Sequence, residues 1–276
     1  MLTWEEAVNW LRHQPDQQDL VKACYYDDPL EQAAVRYAES EEWNAVIRLL
    51  DRKAPSSVLD IGAGRGISSY AFARSGYSVT ALEPDTSVLV GSGAIRDLFA
   101  KTGMQATIMG ERGERLPFPD AAFDIVYGRA VLHHAADLKQ FCAEAYRVLK
   151  PGGIFLMTRE HVISRKENLQ SFLDAHPLHK LYGGEHAYLL TEYIDAIRTS
   201  GLRILNTIGP YESAINYAPT TADDIHQMTI NAFATVAGTR LARVLANIDF
   251  LKDWYCRRLS RNSDVPGRLY TFKAVK

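Results

Sequence analysis

The stretch Val58-Leu59-Asp60-Ile61-Gly62-Ala63-Gly64-Arg65-Gly66 decides the fold. Apolar, branched residues surround a single aspartate, and glycines then fall at every second position. That pattern predicts a buried parallel strand that ends in a tight turn and opens into a helix. A residue without Cβ lets the backbone pass close to a ligand. A dinucleotide-binding turn spaces its glycines as G-x-G-x-x-G. Here the spacing is G-x-G-x-G, with Asp60 two residues before the first glycine.

Strand and helix alternate downstream. Residues 67–75 read as a helix closed by Gly76, 78–82 as a second strand, 87–101 as a helix closed by Gly103, 105–109 as a third strand and 123–127 as a fourth. Asp137 is placed to cap a helix running to Leu149, with Cys142 on its inner face, and Pro151-Gly152-Gly153 stops it. Residues 154–157 read as a strand, 191–200 as a helix closed by Gly201, 203–208 as a strand and 267–275 as the last strand. The alternation predicts an α/β fold with a doubly wound, Rossmann-like, mostly parallel seven-stranded sheet. Ligands then sit at the carboxyl ends of the strands.

Residues 1–54 read as a helical N-terminal extension or lid, with one long helix over 30–50. The core comprises 55–161, 191–209 and 267–276. Residues 162–190 and 210–266 are too long for simple connections and read as cap insertions, the second of them helical. In that second insertion Leu241, Val244, Leu245, Ile248, Leu251 and Tyr255 share one helical stripe.

The bulk properties narrow the function. The 276 residues carry a formal net charge of −2, without the basic excess of a dedicated nucleic-acid binder. The three cysteines, Cys24, Cys142 and Cys256, are scattered and form neither a disulfide framework nor a zinc spacing. No basic leader and no run long enough to span a membrane is present. The expectation is a cytoplasmic protein with reduced thiols, acting on neither nucleic acid nor membrane. Its oligomeric state is not written in the sequence.

Three further segments follow the glycine turn in order: Leu116-Pro117-Phe118-Pro119-Asp120, Phe123-Asp124-Ile125-Val126 and Arg147-Val148-Leu149-Lys150-Pro151-Gly152-Gly153. Over roughly residues 54–160 the chain resembles the class I S-adenosylmethionine (AdoMet) methyltransferases, most closely the subgroup with L-P-F and R-V-L-K-P-G-G segments. The resemblance implies AdoMet as cofactor and S-adenosylhomocysteine (AdoHcy) as product. It implies a cofactor site of Asp60, Gly62, Ala63, Gly64, Glu83, Pro84, Gly113, Glu114 and Arg129. Glu83 ends the second strand, where a carboxylate accepts both ribose hydroxyls; otherwise it is a solvated acid at a strand end. Asp60 faces the ligand ammonium, directly or through water, or caps local backbone amides. Pro84 and Leu116 could sandwich the adenine. Arg129 meets the methionine end, or pairs with Asp60 or an acid of the cap. The chain departs from the family pattern at Arg112, which stands where an aspartate usually accepts the adenine amino group. Arginine cannot accept a hydrogen bond, so Glu111, Glu114 or backbone amides must read the base.

Methyl transfer from a sulfonium is an in-line displacement in which holding donor and acceptor in line removes about 7–11 kcal/mol of barrier. A base is needed only where the acceptor sheds a proton in the transition state. His161 follows the fifth strand and is the first candidate; His133 and His134 follow the fourth and are the others, with structural roles as the alternative. Tyr25 and Tyr26, His179, Tyr182, Glu185 and His186 are candidate substrate contacts, the last four from a cap segment dense in aromatic and titratable groups. His176, His179, Glu185 and His186 are ligand types of two-histidine, one-carboxylate metal sites. Their spacing matches no metal motif, so no metal is expected. The reading is methyl transfer to an oxygen or nitrogen of a small molecule. The alternatives are a methyltransferase of protein or RNA, and an AdoMet-binding protein with chemistry other than methyl transfer, with or without a metal.

Overall fold

The computed structural model describes residues 1–276. Four helices precede the sheet: α1 (Trp4–Arg12), α2 (Gln18–Ala23), α3 (Leu30–Ala38) and α4 (Glu41–Leu50). The single helix expected over 30–50 is two. Ser40 takes extended backbone, and its hydroxyl accepts from the Trp43 N–H and so starts α4 afresh. The apolar spacing carried on through that break and concealed it.

The core then runs β1 (Ser57–Ile61), α5 (Ile67–Arg74), β2 (Ser78–Leu82), α6 (Ser92–Thr102), β3 (Thr107–Met109), β4 (Phe123–Arg129), α7 (Leu138–Val148) and β5 (Leu149–Ile163). It continues through α8 (Asn168–Ala175), α9 (Pro177–Tyr182), β6 (Tyr188–Leu189), α10 (Leu190–Thr199) and β7 (Arg203–Ile208). The chain ends with α11 (Ala214–Tyr217), α12 (Ala222–Ala237), α13 (Thr239–Ala246), α14 (Asp249–Asn262) and β8 (Arg268–Val275). The sheet order is β3-β2-β1-β4-β5-β8-β7. Those seven strands are parallel except β8, which is antiparallel to both neighbours. An eighth, two-residue strand, β6, pairs with the far end of β5.

Both faces of the sheet are covered, so successive strand residues are apolar and point alternately to opposite cores. Val58, Ile125, Tyr127, Ile154 and Leu156 face the layer of α3, α4 and α5. Leu59, Ile61, Val126, Phe155 and Met157 face α7 and α10. Asp137 caps α7 through the amides of Lys139 and Gln140, and Cys142 is fully buried on its inner face.

Three boundaries differ from the sequence reading. The α6 helix starts at Ser92, because Asp85 accepts from the Ser87 amide and holds residues 85–91 in a turn. The helix before Pro151 stops at Val148, and β5 starts at once and passes through Pro151-Gly152-Gly153. It also runs on to Ile163, past a bulge between Met157 and Glu160 where Arg159 has a φ of +60°. That extension carries Glu160 and His161 past the end of β4, where they pair with Tyr270 and Leu269 of β8. In the C-terminal helices that apolar stripe faces outward in part. Ala242 and Ala246 are the buried face of α13, and Leu241, Val244 and Ile248 are exposed.

One polar group ties the amino ends of three strands together. Asp124 accepts from the Ser57 N–H (3.0 Å) and hydroxyl (2.7 Å) and pairs with Lys150 (2.9 Å) and Arg52 (3.3 Å). Burial alone would raise its carboxyl, but Ser57 and Lys150 outweigh that and hold it down at about 2. A depressed carboxyl stabilises the fold fully above its ordinary value of 3.8 and loses that contribution as the pH falls through about 2. Asp124→Asn is therefore expected to cost about 2 kcal/mol in urea unfolding at pH 7. The cost shrinks towards pH 2, and an equal cost at both pH values contradicts the assignment.

Candidate active site

The loop after β1 is shaped by its glycines. Gly62, Gly64 and Gly66 have φ of +64°, +54° and +83°, which L side chains rarely adopt. A Cβ on Gly62 would also lie 2.2 Å from Val131 Cγ2. The Gly62 and Ala63 amides both donate to the Leu82 carbonyl, at 2.8 and 3.1 Å. Glu83 then joins two loops. Its Oε2 accepts from the Gly64 N–H at 2.7 Å and its Oε1 from the Asp85 N–H at 2.9 Å. The side chain is buried, which raises its carboxyl, while those two amides work the other way. Each oxygen keeps a lone pair for a further donor.

This loop forms one end of a cavity of about 380 Å³. Eight of the nine expected cofactor residues line it: Gly62, Ala63, Gly64, Glu83, Pro84, Gly113, Glu114 and Arg129. Asp60 does not. It is fully buried below the loop, where Oδ2 accepts from the Ser68 and Ser69 hydroxyls at 2.7 and 2.6 Å and Oδ1 has no partner. Burial pushes its carboxyl up to about 6 against the pull of those hydroxyls. Its local partners are thus the side chains that open α5, and not backbone amides.

Gly113 is a glycine for close approach, since a Cβ there would meet Phe141 at 2.2 Å. Glu111, Arg112 and Glu114 all face the cavity. Glu114 is engaged by the Ala136 N–H at 2.9 Å. Leu116 belongs to the core on the α7 side and does not line the cavity.

Arg129 forms a two-point ion pair with Glu42, at 2.7 and 3.1 Å, and lies over the rings of Tyr25 and Tyr37. Glu42 is 1% exposed and comes from α4, so the N-terminal helices supply the charge that holds this arginine. Sequence reasoning missed it, because Glu41-Glu42 opens a helix, where acids are ordinary. Tyr25 packs edge-on against Tyr37, outside the cavity; Tyr26 lines it. The mouth is covered by α1 and α9. Trp4 meets Tyr182 at 5.1 Å and Tyr26 at 6.2 Å between ring centres, and the Leu2 amide donates to the Leu181 carbonyl.

Beyond the far wall lies a cluster of histidines. His133 is 2% exposed; its Nδ1 donates to Glu160 Oε2 at 2.8 Å, and Glu160 also accepts from the His133 and Val131 amides. His133 Nε2 is 3.6 Å and His134 Nε2 3.7 Å from the Glu185 carboxylate, and His179 Nε2 is 4.0 Å away. Burial disfavours a charge on His133, but the two carboxylates overcome this and hold it up at about 9. Burial and that neighbouring charge push His134 down to about 4. His161 donates from Nδ1 to the Gly267 carbonyl at 2.8 Å and packs against His133 and Phe172. Of the three catalytic candidates, His134 lines the cavity, whereas His133 and His161 lie behind it. His186 packs on Tyr188 at 4.2 Å between rings. Glu160 went unrecognised in the sequence, since its partner stands 27 residues earlier.

Residues 59–157 match the family model of a methyltransferase domain. The chain is 29% identical over 167 residues to a "probable S-adenosylmethionine-dependent methyltransferase" of Mycolicibacterium smegmatis, covering 60% of each protein. It is 26% identical over 214 residues to the 27-O-demethylrifamycin SV methyltransferase of Amycolatopsis mediterranei, covering 74% of this chain and 69% of that one. Its fold is similar to that of a phosphoethanolamine N-methyltransferase of Haemonchus contortus in complex with AdoHcy. There the TM-score is 0.59 at 16% identity, over 100% of this chain and 61% of that one. Residues 59–157 thus match a methyltransferase domain and are similar to AdoMet-dependent methyltransferases, and the chain spans less than two thirds of the length of the first curated relatives it matches.

Proposed function

We propose that this chain transfers the methyl group of AdoMet to an oxygen or nitrogen of a small-molecule acceptor. The observation that carries this reading is the cover over the cavity. Beside the pairing of α1 with α9, Glu5 accepts from the Leu89 amide at 3.1 Å, so α1 is also tied to the chain beyond Glu83. A mouth narrowed by a pinned helix suits a small acceptor better than a polymer. The name of the Amycolatopsis relative, an enzyme acting on an oxygen of a small molecule, supports the same class. No helix is long and apolar enough to cross a membrane.

In this reading the ligand ribose hydroxyls donate to Glu83, the bond type in which an ionised acceptor is about twice as strong as a neutral one. The Asp60 Oδ1 atom is buried beneath the glycine loop without a partner, and in this reading the loop stands between it and the amino-acid end. Arg129, held by Glu42, is assigned to the methionine end, and His134, which also lines the cavity, to the acceptor. Little covalent chemistry is required of the protein, because the sulfonium is already activated and alignment does most of the work.

AdoHcy at 100 times its Kd is expected to raise the unfolding free energy by about 2.7 kcal/mol. Glu83→Ala removes most of that gain in a thermal-shift titration, and a full gain in the variant contradicts the ribose assignment. His134→Ala keeps the gain and lowers turnover by roughly a hundredfold. Turnover is measured with labelled AdoMet against a panel of phenols, hydroxyquinones and amines. Label appearing only in protein or RNA overturns the small-molecule reading.

A further inference from the structure

We propose that His133, His134 and Glu185 form a site for a divalent transition-metal ion, with His179 at its edge, which presents an oxygen of the methyl acceptor to the cofactor cavity. The nitrogens of His133 and His134 and the Glu185 carboxylate lie within 4.8 Å of one another. They come from separate segments: the turn after β4 and the chain between α9 and β6.

The distances set this cluster apart from a hydrogen-bonded one. At 3.6 and 3.7 Å, the two contacts from His133 and His134 to Glu185 are too long for hydrogen bonds. A tetrahedral ion with bonds of about 2.0–2.1 Å holds its ligand atoms roughly 3.3 Å apart, so a small closure would seat one. Glu185 is 5% exposed, and its buried Oε2 has no hydrogen-bond partner although it is aimed at His133 and His179. A buried carboxylate oxygen with no hydrogen bond is open to a metal ion.

The outer partners are those of metal-ligating histidines. His133 gives its Nδ1 proton to the Glu160 carboxylate, which fixes the ring and leaves Nε2 for the ion. The His179 Nδ1 lies 3.4 Å from the Phe172 carbonyl, with Nε2 again facing inward. Two imidazoles and one carboxylate suit zinc or iron(II) and leave positions open for an exogenous oxygen. On binding, the ion replaces the proton on His133 Nε2, and that proton is released. His134 and Gly184 line the cofactor cavity, so the open positions adjoin it.

The acceptor role rests on the methyl-transfer reading; the metal site itself does not. A metal-bound acceptor hydroxyl loses its proton to water and its oxygen forms the new C–O bond with the methyl carbon. The C–S bond breaks, with its electron pair left on sulfur as neutral AdoHcy.

The test uses the full chain, stripped with chelator, reloaded with Zn2+ or Co2+ and passed through a desalting column. Elemental analysis is expected to find one ion retained per chain, with a Co2+ visible spectrum of nitrogen and oxygen ligands. Glu185→Gln and His134→Gln weaken retention by at least about tenfold, and His13→Gln, on the exposed end of α1, leaves it intact. The AdoHcy thermal shift, measured on the same samples, persists in Glu185→Gln, which shows that the variant is folded and separates this site from the cofactor site. No ion retained by the parent chain, or equal retention by both ligand variants, overturns the metal site. Unchanged turnover after stripping overturns the acceptor role.

Discussion

The Glu83 carboxylate is the constraint on which the site depends. Strands β1 and β2 are parallel and in register, with Ile61 beside Leu82. Their loops therefore leave the sheet side by side, and β1 has β4 on its other flank. The chain reverses its winding direction at that point, and the crevice of an open α/β sheet lies there. Glu83 accepts one amide from each of the two loops and sets their spacing. The left-handed glycines of the first loop keep side chains out of the same space. The protein's own hydrogen bonds thus hold the pocket floor, and preorganisation of this kind lowers the ordering that binding requires.

The N-terminal helices complete the other end. Their attachment is electrostatic as well as apolar. Arg129 is almost enclosed, and Glu42 together with the faces of Tyr25 and Tyr37 surrounds its guanidinium. Arg65 repeats the device one loop earlier, donating to the Tyr25 and Asp27 carbonyls and to Asp28. Removing one partner of a buried ion pair leaves an uncompensated charge, a far larger loss than an exposed pair carries. The extension is therefore a wall of the site, with its own charges committed to the sheet.

The parts of this protein that were legible in its sequence are local. The glycine turn, Glu83 at a strand end and the Asp137 cap are each decided by a few neighbouring residues. So are the alternating strands, whose apolar runs follow from burial on both faces. The parts that were not legible depend on partners distant in the chain. Glu42 and Arg129 are 87 residues apart, and neither has a local pattern that names the other. Glu185 stands in a glycine-rich turn with ordinary neighbours, and only the fold brings it to His133 and His134. The β5 extension was missed because Thr158-Arg159-Glu160-His161 is polar, as a loop would be. Its polarity instead serves the ion pairs and histidine contacts at the edge of the site. On α13 the apolar period was read correctly, but periodicity does not say which face a helix buries, and here the small alanines are inside.

The central claim is that Glu83 and the glycine loop hold the adenosyl end of AdoMet in this cavity. A crystal structure of the chain with bound AdoHcy tests it most directly. The account predicts both ribose hydroxyls within hydrogen-bonding distance of the Glu83 carboxylate and the sulfur turned towards His134. A nucleoside bound elsewhere, or one whose ribose does not touch Glu83, would contradict it.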